Sequence, residues 1–197
     1  MIAPLCDNWE IYRFEDIPVT NGRIVKEDRS QSAHSKRLND ALMQSYRGTK
    51  LPGNSFLDLP LLVTDGNDVG VLHNMINFRI VREDIASEIE DIAQESVQFL
   101  RIRLQDPSGE HLTNYRVMNP LALAGLSIHL TDAKWWDDKV GDKIQHYYKL
   151  VLDRATVNSP IFRIHECRTQ VFLNDAIRQK IQQMDARGSQ FDEIETA

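Results

Sequence analysis

Six histidines, two cysteines and a scatter of carboxylates are the residues of this 197-residue chain whose types could do chemistry. His165-x-Cys167 sets two potential metal ligands at alternate positions, but no CxxC, HxxxH or HExxH spacing accompanies it. The pair reads as a strand histidine beside a buried thiol. Asp153 and Glu166, on what read as adjacent strands with Arg168 beyond, resemble the carboxylate pair of a metal-dependent nuclease. The alternative is ordinary charged strand ends. There is no GxSxG, GxxxxGK[ST] or GxGxxG, and the nine glycines sit singly at turns. Neither a nucleophile elbow nor a phosphate cradle is expected, and no catalytic residue, metal or cofactor is assigned.

Two surface features are better candidates for binding. Residues 82–95 carry Glu83, Asp84, Glu88, Glu90, Asp91 and Glu95, with Arg82 the single base in that stretch. On a helical wheel the acids fall opposite an isoleucine stripe. They form either a solvated face or a docking face for a basic partner. The second feature is AKWWDDKVGDK at 133–143, read as a polar loop. An exposed Trp135 or Trp136 flanked by Asp137 and Asp138 would be an interface anchor; a core position is the alternative for either tryptophan taken alone.

The elements that position these residues follow from periodicity. NWEIYRFED (8–16) reads as a strand. Leu38, Leu42 and Tyr46 lie on one face of a helix that starts near Ser35. LPLLVTDGNDVGVL (59–72) reads as a hairpin around Asp65-Gly66. Then come a strand at 77–81, a helix at 83–94 and a strand at 97–105, with Leu100, Ile102 and Leu104 inward and Arg101 and Arg103 outward. Further strands are expected at HLTNYRVMNPL, 125–130, 147–153 and 160–166, and a closing strand–helix–apolar tail at 169–194. The expected fold class is α+β, a mainly antiparallel sheet with packed helices.

The two strand–helix–strand stretches, about 77–102 and 169–194, match without a gap. At an offset of 92 residues Ile85 falls on Ile177, Ile89 on Ile181, Phe99 on Phe191 and Ile102 on Ile194. The charged positions between them are not kept. The repeat therefore reads as a packing unit used twice, and its isoleucines and phenylalanines are expected to be buried.

The formal net charge of −6 argues against nucleic-acid binding, which favours a basic face. No stretch approaches the roughly 20 apolar residues of a membrane span, and the first twenty residues lack a signal-peptide core. Cys6 and Cys167 make no disulfide framework. These features predict a cytoplasmic protein with neither a nucleic-acid nor a membrane partner.

Four segments carry a family resemblance: Val97–Leu100, Tyr115–Asn119 (Y-x-V-x-N), Leu150–Asp153 with Ile161–Arg163, and the strand-helix Val171–Ile177. Together they resemble an immunity-protein family of bacterial polymorphic-toxin systems over about residues 75–194. Arg101 stands where that family often has proline, and TDAKWWDD replaces its usual acidic-serine stretch. Residues 1–74 lie outside the resemblance as a strand, helix and hairpin region that would complete one compact domain. The resemblance implies a protein that binds and neutralises a cognate toxin and carries no catalytic residue. An acidic inhibitor suits a toxin with a basic active-site cleft. A metal-dependent hydrolase and a non-catalytic adaptor are the alternatives.

Overall fold

Alternating apolar and polar residues turn more of the chain into strands than into helices. The computed structural model describes residues 10–27, 32–74, 76–124, 127–131, 134–136, 143–146, 149–185 and 187–197. In chain order the elements begin with β1 (Ile11–Asp16), β2 (Ile24–Glu27), α1 (Ser32–Tyr46), β3 (Phe56–Val63), β4 (Val71–Asn74) and β5 (Arg79–Arg82). There follow α2 (Glu83–Ala93), β6 (Val97–Gln105), β7 (His111–Leu112), β8 (Tyr115–Pro120) and β9 (Ser127–Thr131). The last are β10 (Lys134–Trp136), β11 (Lys143–His146), β12 (Lys149–Leu152), β13 (Ile161–Phe162), β14 (Val171–Asn174), α3 (Asp175–Asp185) and β15 (Ser189–Thr196). No helix among the described residues is long and apolar enough to cross a membrane.

The fold is α+β, and most of its strand pairings are antiparallel. One sheet runs β3-β2-β4-β5-β8-β6-β7, and a parallel β3–β6 pairing closes it into a barrel. Its interior holds Phe56, Leu61, Leu72, Ile80, Leu100, Ile102, Leu104 and Val117, and α1 adds Leu38 and Ala41 to the same core. Period-two patterning explains this: along β6, Leu100, Ile102 and Leu104 are buried while Arg101 and Arg103 are exposed. The second sheet runs β13-β14-β1-β15-β12-β9. One of its faces buries Ile11, Leu150, Leu152, Phe162, Ile164, Phe172 and Ile194.

A third core lies between the two sheets and is built by the repeated units. In the first, β5 and β6 flank β8; in the second, β14 and β15 flank β1. The registers agree residue for residue. Met118 faces Arg79 and Phe99, and Phe14 faces Val171 and Phe191, the positions 92 residues on. Helices α2 and α3 pack against each other, and Ile85, Ile89, Ile177 and Ile181 are all fully buried between the sheets. Phe99 and Phe191 depart from the expected full burial. Both are half-buried and pack against this core from its edge, as do Ile92 and Met184.

Three expectations from local pattern fail. β3 and β4 do not form a hairpin around Asp65-Gly66, because β2 lies between them, antiparallel to β3 and parallel to β4. The turn at Gly66 instead leans on residues 21–23, with Asn67 donating its N–H to the Asn21 carbonyl at 2.8 Å. Of the strand expected at 160–166 only Ile161 and Phe162 form ladder, and the chain then crosses to bridge Leu123 through Arg163. Within the stretch read as a loop, Trp135 and Trp136 lie on β10, opposite Ile144 and Lys143 of β11.

Candidate functional site

Helix α2 forms because Ile85, Ala86, Ile89 and Ala93 recur at helical spacing and find a core on one side. Glu83 and Asp84 in its first turn suit the positive end of the helix dipole. Ala93 is followed by a 3-10 turn, Gln94–Ser96, in which Gln94 takes the left-handed φ of 46°. That turn ends the helix and aims the chain into β6.

The structure divides the acids of this helix into two groups. Glu83, Asp84 and Glu88 are tied into the fold. Glu83 pairs with Arg116 of β8. Asp84 accepts from Arg82 at 2.7 Å, and this guanidinium holds its carboxyl below the usual range. Arg82 also donates to Asp185 at the end of α3, at 3.0 Å. Asp185 is likewise held low, mainly by Arg187 and further by Arg82. Glu88 accepts from Lys180 of α3 at 2.7 Å. Sequence proximity showed one base near these acids; folding supplies two more, Arg116 and Lys180, from distant strand and helix. Glu90, Asp91 and Glu95 form the second group. They are exposed on the outer edge of α2 and its terminal turn, and make no ion pair among the described residues.

Trp135 and Trp136 stand on β10, which pairs with β11 in a separate two-stranded sheet. Asp137 and Asp138 lie outside the described residues.

The strands expected to carry Asp153 and Glu166 side by side are not neighbours. β12, which leads into Asp153, pairs with β15 and β9, whereas β13 pairs with β14 at the other end of the sheet order. The Asp153 carboxylate caps a short 3-10 turn by accepting the Ala155 N–H at 3.0 Å. His165 is exposed, with Nδ1 3.2 Å from Arg168 Nη2. Cys167 is buried, which pushes its thiol up to about 11 and leaves it protonated at neutral pH. No three His, Cys, Asp or Glu side chains converge as metal ligands among the described residues.

Two buried polar centres were not legible beforehand. Asp16, at the end of β1, accepts from Arg79 Nη1 at 2.8 Å, the Asn74 N–H at 3.1 Å and Asn74 Nδ2 at 3.4 Å. His73 Nδ1 lies 3.1 Å from the same carboxylate. One acid thus fastens β1 to β4 and β5. The other centre is Arg163, 2% exposed, which donates to the Arg168 carbonyl at 2.8 Å and Ser45 Oγ at 3.2 Å and lies over the Tyr46 ring. Burial lowers its pKa to about 10. No local signal marks either residue, since their partners lie on remote elements.

The described surface also holds an open cavity of about 220 Å³ between α1 and residues 51–55, lined by Arg37, Asp40, Gln44, Pro52 and Asn54 among others. It is smaller than the ~300–1,000 Å³ of ordinary ligand pockets. No protein-family model matches the chain, and no curated protein is similar to it.

Proposed function

We propose that this protein is a stoichiometric inhibitor of the immunity type, which binds a cognate bacterial toxin in the cytoplasm and neutralises it without catalysis. The observation that supports this reading best is the division of acids on α2. Glu83, Asp84 and Glu88 serve the fold, whereas Glu90, Asp91 and Glu95 are exposed carboxylates that packing does not require. Glu90 and Asp91 sit on a helix whose opposite face, Ile85 and Ile89, is fully buried, and Glu95 on the 3-10 turn that ends it, so the charges are presented rigidly. A toxin with a basic active-site cleft is the complementary partner. Docking there relieves repulsion among the acids and speeds encounter at low salt.

The test is charge reversal of Glu90, Asp91 and Glu95 to Lys, with association to the toxin encoded beside this gene measured at low and high salt. The expected result is a drop in association rate of about tenfold or more at low salt that narrows at high salt. An unchanged rate at both salts rejects this edge as the docking face and moves attention to Trp135 and Trp136. Failure of co-expressed protein to rescue growth from the toxin rejects the immunity reading itself.

A further inference from the structure

The match between the two repeated units extends beyond them, and it includes every strand of both main barrel walls. Around the first barrel β2 is antiparallel to β3, β3 is parallel to β6, and β6, β8, β5 and β4 follow in antiparallel steps. Around the second sheet β9 is antiparallel to β12, β12 is parallel to β15, and β15, β1, β14 and β13 follow in antiparallel steps. The first ring closes by a parallel pairing, Ile24 with His73. The second closes the same way: Leu123, just ahead of β9, bridges Arg163, just after β13, in parallel. Two backbone hydrogen bonds of 3.0 Å fix that closure, from the Arg163 N–H to the Ala122 carbonyl and from the Ala124 N–H to the Arg163 carbonyl.

Register agrees with this correspondence, and so does burial except where the buried Val117 and Leu100 are matched by the part-exposed Arg13–Asp192 pair. Leu72 faces Ile80 as Phe162 faces Phe172, and Leu61 faces Leu104 as Leu152 faces Thr196. Ile80, Ile102 and Tyr115 point into the first barrel's core, and their counterparts Phe172, Ile194 and Ile11 into the second's. Met118 and Phe14, equivalent by register, both face the shared core between the barrels. Glu88 and Lys180 hold equivalent positions and touch each other, as residues beside a two-fold axis must.

We infer that the chain is one barrel used twice about an internal two-fold axis, and that β1 is the donor strand of the second copy. The first barrel is continuous in sequence, from β2 to β8. The second runs from Ala122 to β15 and lacks the strand that corresponds to β8. β1 fills that gap from the other end of the chain, across residues 17–23. The groove between the parallel strands β14 and β15 is therefore a strand-binding site. It takes an antiparallel segment with an apolar side chain for the barrel (Ile11), an aromatic one for the seam (Phe14, stacked on Phe191) and a cation between them (Arg13, paired with Asp192). Asp16, held by Arg79 and Asn74, locks the donor strand where it crosses to the first barrel.

A circular permutant tests this with the whole chain retained. Residues 1–16 are moved to follow Ala197, so that the second barrel becomes continuous, and the chain starts at Ile17. The expected result is a folded monomer whose amide-exchange protection in β12, β14 and β15 stays within tenfold of the natural order. Loss of protection in β3–β6 of a folded permutant overturns the inference, because β1 would then belong to the first barrel. If the permutant does not fold, Ile11→Ala in the natural order decides: exchange should rise at least tenfold more in β12, β14 and β15 than in β3, β4 and β6. An equal rise in both sets overturns it.

Discussion

Replacing Asp16 by alanine removes the acceptor that joins β1 to β4 and β5. The Asp16 side chain is 8% exposed and that of Arg79 is 13% exposed, so the pair sits where water does not replace it. Breaking a buried pair by deleting one partner costs about 3–5 kcal/mol, because the other charge is left without compensation. Here the orphans are the Arg79 guanidinium, the Asn74 N–H and the His73 ring, whereas Asn74 Nδ2 keeps its bond to the Phe78 carbonyl. Arg79 keeps one bond, to the Phe14 carbonyl at 3.2 Å, which places the expected loss toward the lower end. Against a total stability of about 5–15 kcal/mol, the variant remains folded but weakened. With a urea slope of about 2 kcal/mol/M, the unfolding midpoint should fall by about 1.5 M. The assay is urea unfolding followed by circular dichroism. Adding Arg79→Met to Asp16→Ala should cost less than the sum of the single losses, since the stranded cation is gone. A loss below about 1 kcal/mol for Asp16→Ala, or strict additivity of the pair, would refute the claim that this carboxylate fastens the barrels.

The remaining predictions concern packing, backbone and pH. Ile89→Ala and Ile181→Ala empty equivalent, fully buried sites, and each should lower stability by about 2–5 kcal/mol in the same urea assay, while Glu90→Ala should change it by less than about 0.5. Gly188 has φ of +87°, and a Cβ there would meet the Val71 carbonyl oxygen at 1.8 Å, so Gly188→Ala should lower the thermal midpoint more than any surface Gly53→Ala change, whose site is open. Asp84, Asp185 and Asp192 are held below the ordinary carboxylate range by their arginine and glutamine partners. Their contribution is present above the unfolded carboxylate pKa and is lost as pH falls through the folded values, so stability should decline below about pH 4 in an acid titration. A stability that stays flat through that window would contradict the hydrogen-bond partners assigned to them.

Much of the local structure is legible because short-range pattern dictates it. β6 at 97–105, α2 with its Ile85 and Ile89 stripe, and β8 as an antiparallel partner all follow from periods of two and 3.6 residues. The repeat of β5–α2–β6 in β14–α3–β15 is visible for the same reason: positions that must be buried tolerate few side chains, so Ile85 and Ile177 keep their identity. Exposed positions carry no such constraint: Glu83 falls on Asp175, but Asp84, Glu88, Glu90 and Asp91 fall on Ala176, Lys180, Gln182 and Gln183.

The sequence by itself determined the inward residues of β6 and the isoleucine stripes of α2 and α3, and the α+β class. Tertiary structure alone decided which strands are neighbours. Nothing near Asp65-Gly66 tells that β2 separates β3 from β4, because the competing partner lies some forty residues away and hairpin geometry is a local preference that a barrel overrides. Nor does Ile11–Asp16 declare that it completes a sheet with strands near the other end of the chain. That placement rests on Phe14 against Phe191, Arg13 against Asp192 and Asp16 against Arg79, contacts between residues far apart in sequence. The candidate site divides in the same way. Composition set six acids on one short stretch, but only folding, by bringing Arg116 and Lys180 to Glu83 and Glu88, separated the carboxylates that hold the protein together from Glu90, Asp91 and Glu95, which face outward.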